Sequence, residues 1–246
     1  MALATPGAAV PARRSRTRWL VPAGLILLSL VPVIQGALRL TELTGGAAAT
    51  PANERFFDAP VPVLVHIPSV TVYCLLGAFQ FVPALRRGGH RWHRAAGAAL
   101  VPAGMLAALS GLWMAVFYDL PPSDGEVLLV LRLVFGAAMV ASIALGLAAL
   151  RERNFARHGA WMARGYAIGL GAGTMVPVTV AWVLLAGQPE QLSGATGGEQ
   201  VKAVLMGASW VINLAVAEHF IRRRSRQARR AAGAGRSAAA RAAASR

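Results

Sequence analysis

The sequence predicts an all-α protein, a six-span transmembrane helix bundle with both termini on the cytoplasmic side. Three observations carry this expectation. Apolar residues make up 56% of the chain and charged residues only 14%, against about 25% charged in soluble domains. The apolar residues gather into six runs near the length of about 20 residues that crosses a bilayer core. The arginines are shared out very unevenly between alternate connectors, as membrane topology demands.

The six runs are 19–38, 61–85, 95–118, 127–150, 165–187 and 200–221. Short connectors separate them, punctuated by Gly45-Gly46, Pro121-Pro122 and Gly197-Gly198, residue types that stop helices and start turns. The first run follows Arg13, Arg14, Arg16 and Arg18 and has the flanks of a secretory signal. It is longer than a signal core and five more runs follow it, so it reads as an uncleaved anchor.

Orientation follows from the basic residues. The N-terminal segment, the 86–94 and 151–164 connectors and the tail from Arg222 hold 21 arginines. The other side and the helix ends facing it hold four basic residues, Arg39, Arg55, Arg132 and Lys202, and eight of the ten acids. The expected organisation is a cytoplasmic basic segment (1–18), a membrane domain (19–221) and a cytoplasmic Arg/Ala-rich tail (222–246), set in a bacterial inner membrane. The tail has nine arginines and no acid. It cannot bury a core and is expected to be disordered or only transiently helical. Its arginines suit anionic lipid head groups, or serve simply as a topology anchor. A formal charge of +15 would suggest nucleic acid in a soluble protein. Here the positive-inside bias accounts for it, and no nucleic-acid partner is expected.

Other function classes are excluded by missing motifs. The single cysteine, Cys74, rules out an internal disulfide framework or a cysteine-ligated cluster and reads as packing inside an apolar run. The chain has no phosphate-binding glycine loop, zinc-ligand spacing, nucleophile elbow or paired carboxylates.

The second run has a polar face. At 100° per residue, His66, Ser69, Tyr73, Gly77 and Gln80 gather on one side of a helix. Lipid offers such groups no partners, so this face should turn into the bundle. It could line a pocket or proton path, or bond the helices together. Arg132 of the fourth run lies about as deep as His66, roughly 7–8 Å from the same helix ends. Turned inward, the two would frame a pocket for a quinone or an organic anion; turned outward, Arg132 would reach the head groups.

Two histidines head glycine-lined seams. His93 shares a face with Gly97, Gly104 and Gly111, and His158 shares one with Met162, Gly165 and Gly169, while Gly165, Gly169 and Gly173 recur at a close-packing spacing. Two imidazoles at one depth above small residues could hold a haem b, with Arg94 and Arg164 meeting its propionates. The same residues also serve at a membrane boundary as helix caps and phosphate binders.

Taken together, these residues resemble the DUF2306 family of membrane proteins over about residues 53–172. The resemblance rests on Arg55, Phe57, His66-Ile67, Gly77, Gln80-Phe81, His93-Arg94, Gly97, Ser110-Gly111, His158, Trp161-Met162, Arg164 and Tyr166-Ala167. It implies a multi-spanning membrane protein and brings no established activity.

Three functions stay open: a redox protein holding one haem b, with a quinone near His66 and Arg132; a small transporter using the face of the second run; and a non-catalytic scaffold or partner subunit, paired with itself or with another membrane protein. On the expected topology, reporters fused after Arg87, Arg153 or Arg224 give a cytoplasmic signal. Fusions near Ala49, Ser123 or Gly194 give the opposite one. A cytoplasmic signal from the 188–199 connector breaks the six-span arrangement.

Overall fold

The computed structural model describes residues 17–82, 85, 90–187 and 198–244, and the regular structure among them is helical. The basic segment ahead of Thr17, the arginines at 86 and 87, the loop holding Gly194 and the side chain of His90 lie outside the described residues.

Helix α1 runs Thr17–Thr44, a short α2 covers Glu54–Asp58, and α3 runs Pro60–Phe79. Helix α4 covers His90–Phe117, and a 3-10 turn at Pro122–Asp124 leads into α5, Gly125–Arg151. Helices α6, Phe155–Gly169, and α7, Gly171–Ala186, follow, and α8 runs Gly198–Ala244. Inside a bilayer each backbone polar group must be satisfied within the protein, and a helix does this within one segment. Helices α1, α3, α4, α5 and α8 are each long and apolar enough to cross. The α6–α7 pair makes a sixth span if it is taken as one broken crossing.

Helix α3 packs against α1 and α4, and α5 against α4, α6 and α8. Helix α8 also meets α6 and α7, and α1 reaches α7, which closes the bundle. The core is built on Tyr73, Leu100, Ile143, Tyr166, Ile168 and Trp210. Large apolar side chains such as Leu27, Val130 and Leu185 are exposed, as expected where the outer surface meets lipid rather than water.

The structure departs from the sequence reading in two places. The fifth span, expected as one helix over 165–187, begins at Phe155 and bends by 52° at Leu170. Prolines lie inside α1, α3, α4 and α7, yet the break falls between Gly169 and Gly171, where the backbone is least restrained. The tail, expected to be disordered or only transiently helical, continues α8 as far as Ala244, with its arginines exposed where their side chains are described. Alanine and arginine are both strong helix formers, and a spanning helix supplies the nucleus that an isolated segment lacks.

The glycine seam of the fifth span divides at the bend. Gly165 and Gly169 face Tyr73 of α3, while Gly173 lies against the Leu28 backbone of α1. A Cβ at Gly169 would stand 2.9 Å from Tyr73 Cε1, whereas one at Gly159 would meet nothing within 4 Å. Gly169→Leu is therefore expected to cost about 1–3 kcal/mol or more through overpacking, and Gly159→Leu very little. Yield and thermal stability of the purified variants check this, and equal behaviour of the two would show that the seam is not packed.

Candidate functional site

The polar face of α3, Gln80 apart, is taken up by its neighbours. His66 Nδ1 lies 3.0 Å from the Ala107 carbonyl oxygen and 3.1 Å from Ser110 Oγ on α4. A carbonyl only accepts, so Nδ1 carries the proton. A Cβ at Gly111 would stand 3.3 Å from His66 Cε1, so this glycine is what lets the imidazole reach α4. Two turns deeper, Tyr73 fills a notch formed by Gly104 of α4 and by Gly165 and Gly169 of α6. The Tyr166 ring takes the space over Gly77, and its hydroxyl donates to the Cys74 carbonyl at 2.7 Å. The Tyr73 and Tyr166 rings lie 5.7 Å apart, with Phe81 5.1 Å from Tyr166. Ser69 is buried, and Gln80 Nε2 is buried with no hydrogen-bond partner among the described residues.

The break between α6 and α7 is tied off from α8. Asn213 Nδ2 donates to the Ala167 carbonyl at 3.0 Å, and Trp210 Nε1 donates to the Ile168 carbonyl at 3.2 Å. Thr174 Oγ1 donates to Asn213 Oδ1 at 2.8 Å. The Cys74 thiol points to the Gly169 carbonyl at 3.7 Å. Beside the break is a cavity of about 30 Å³ lined by Ser29, Val70, Cys74, Gly169 and Gly173 among others. That volume suits about one water molecule.

At one end of the bundle, His158 Nδ1 lies 2.9 Å from the Gly146 carbonyl oxygen and so carries the ring proton. Met162 lies against Gly146. Arg164 Nε donates to Glu218 Oε1 at 2.5 Å, and the Arg164 guanidinium lies 4.5 Å over the Trp161 ring. His93 is half-buried on α4, and Arg94 beside it is exposed. Helices α4 and α6 touch, but the small residues expected to leave room for a macrocycle have other occupants. Tyr73 fills the space at Gly104 and Gly165, and His66 that at Gly111. Gly97 alone of its seam has open space beside it. Arg164 is committed to Glu218 rather than free for a propionate. As placed, these residues do not fit a haem.

At the opposite end, Arg132 and His66 frame no shared pocket. Arg132 Nη1 instead pairs with Asp124 Oδ2 at 2.7 Å, and Lys202 Nζ bonds the other carboxylate oxygen. Asp124 is the buried centre of this group, only 3% exposed. Burial pushes its pKa up, but Lys202 and Arg132 outweigh that and hold it below the ordinary 3.8. Arg39 pairs with Glu42, and the Arg39 and Arg55 guanidiniums lie 4.7 Å and 4.5 Å from the Phe56 ring. Burial lowers the Arg55 pKa, helped by the charges of Arg39 and Arg132, and the opposing pull of Asp124 does not restore it. Of the four basic residues that the sequence sets on this side, Arg132 and Lys202 thus share the Asp124 carboxylate, while Arg39 pairs with Glu42.

A family model described as predicted membrane protein, DUF2306, matches residues 63–221. The chain belongs to the DUF2306 family. The matched region starts inside α3 and ends within α8, so it takes in the Tyr73 notch, the broken span and the Asp124 group, and leaves out α1, α2 and the distal tail. No curated protein and no solved structure matches the chain.

Several residues that organise this DUF2306 bundle escaped the sequence reading, namely Asp124, Trp210, Asn213 and Thr174. Asn213 carried a usable signal, since an amide inside a spanning helix needs a partner. Asp124 carried none, because an acid at a helix end looks like any interfacial residue until its neighbours are known. Asp124→Asn is expected to leave Arg132 and Lys202 side by side without a counter-charge and to cost about 1–3 kcal/mol. Because folding lowers the Asp124 pKa, its stabilising contribution is present above pH 3.8 and is lost as pH falls through the folded value. Thermal melts of wild type and variant should accordingly converge at low pH; a gap that stays constant with pH rules this out.

Proposed function

We propose that the chain is a non-catalytic membrane scaffold or partner subunit, set in a bacterial inner membrane with both termini cytoplasmic. The observation that carries this reading is the fate of the α3 polar face. His66 is bonded to α4, Tyr73 fills a three-glycine notch, and Gly77 receives Tyr166. Polar groups spent on helix packing line no path and hold no substrate. The arginine bias of the connectors supports the topology. Among the described residues no group of three or more His, Cys, Asp or Glu could hold a metal ion.

A second reading, a small transporter, draws on the 52° break. Broken spans near the middle of a bundle are where many transporters bind and move. Here the break is tied to α8 by Asn213 and Trp210, and the adjoining cavity admits about one water.

The test uses full-length protein purified in detergent from haem-replete cells. The expected spectrum has no Soret band. A Soret band that His93→Ala and His158→Ala each abolish would replace the scaffold reading with the redox one. Reconstituted into vesicles carrying an internal pH dye, the protein should leave proton leakage at the protein-free rate. A leak that Asn213→Leu changes several-fold would favour the transporter.

A further inference from the structure

Helix α8 runs past Ile221 without interruption, so the tail arginines hold fixed angular positions. Arg222, Arg226 and Arg230 recur every four residues along one side, with Arg223 next to them. With Glu218 and His219 they border an open groove of about 840 Å³ that begins at Ala215, inside the stretch apolar enough to cross a membrane. The acid in this lining is already neutralised: Glu218 accepts from Arg164 at 2.5 Å, and Arg222 stands 3.8 Å from its other oxygen. Arg223, Arg226 and Arg230 have no carboxylate within ion-pair distance among the described residues. Arg224 sits about 200° around the helix from Arg222 and points away from this side.

We propose that this groove binds the head group of an anionic phospholipid bearing two phosphates. Guanidinium forks match phosphate oxygens in charge and geometry. Arg222 to Arg230 spans about 12 Å along the axis, more than one phosphate covers, so different arginines of this side can meet two linked phosphates at once. The groove opens at Ala215 on the apolar part of α8, so acyl chains can run down beside the span while the head group meets the arginines. Clusters of basic residues just beyond the end of a spanning helix attract anionic lipid head groups. A tail that merely sensed surface charge would use all its arginines alike. A groove on one side of one helix uses a defined subset. The inference is independent of whether the bundle is a scaffold or a transporter.

The test is native mass spectrometry of full-length protein in detergent, titrated with diphosphatidylglycerol. Arg226→Gln with Arg230→Gln should weaken binding by about tenfold or more, on the scale expected for two basic groups at a lipid surface. Arg224→Gln with Arg236→Gln removes the same charge and should leave binding within about twofold of wild type. These positions are exposed on α8, and an unchanged size-exclusion profile confirms that the variants fold. Phosphatidylglycerol matched in total charge should bind distinctly less. Equal weakening by both double variants, equal binding of the single-phosphate lipid, or displacement by millimolar inorganic phosphate would each overturn the proposal.

Discussion

A bilayer core offers no water to an open hydrogen bond, and the arrangement around Leu170 follows from that constraint. Where α6 gives way to α7, the backbone turns by 52° and the carbonyls of Ala167 and Ile168 accept bonds from outside their own helix. Asn213 and Trp210 supply them, and Thr174 holds the other end of the Asn213 amide. A bend that flanking glycines allow is thereby satisfied by one neighbouring helix. The position of α8 is in turn fixed by having to meet it, and the stacking of Trp210 on Phe135, 4.6 Å between centroids, carries that constraint on to α5.

Close packing sets the rest of the interior. Between helices in lipid there is little hydrophobic gain, so contact depends on how nearly the backbones and side chains interlock. Tyr73 is the largest such piece, entering a notch that three glycines from two helices leave open. The Tyr166 ring does the same over Gly77, and Met162 over Gly146. Each pairing sets a large side chain against the absence of one. The space that small residues create in the sequence is therefore spent inside the bundle rather than kept for a ligand.

The charges near the span ends are handled by pairing across helices. Asp124 joins Arg132 of α5 to Lys202 of α8, and Glu218 joins α8 to Arg164 of α6. Helix α8 is thus tied by an ion pair toward each end of its span and by Trp210 and Asn213 between them. Past Arg222, which stands 3.8 Å from Glu218, its arginines pair with no acid among the described residues, which is why the groove along Arg222, Arg226 and Arg230 carries net positive charge.

The sequence by itself determined the helical class, the approximate positions of all the spans but the fifth and the inward turn of the α3 polar face, because hydropathy and helical phase are local properties along the chain. It also marked Gly165 and Gly169 as close-contact sites, since only a neighbouring backbone or ring makes such spacing useful. Only the tertiary structure decided what meets those residues. Whether Arg132 turns to His66 or to Asp124, and whether Gly104 leaves room for a macrocycle or for Tyr73, depends on which helix stands opposite and at what height. That relation joins residues from 8 positions apart, as between Asp124 and Arg132, to 95, as between Cys74 and Gly169, and helical phase alone does not encode it. The bend at Leu170 lies between these cases. Its glycines are legible in the chain, but glycine permits a break without requiring one, and the bonds from α8 are what hold it there.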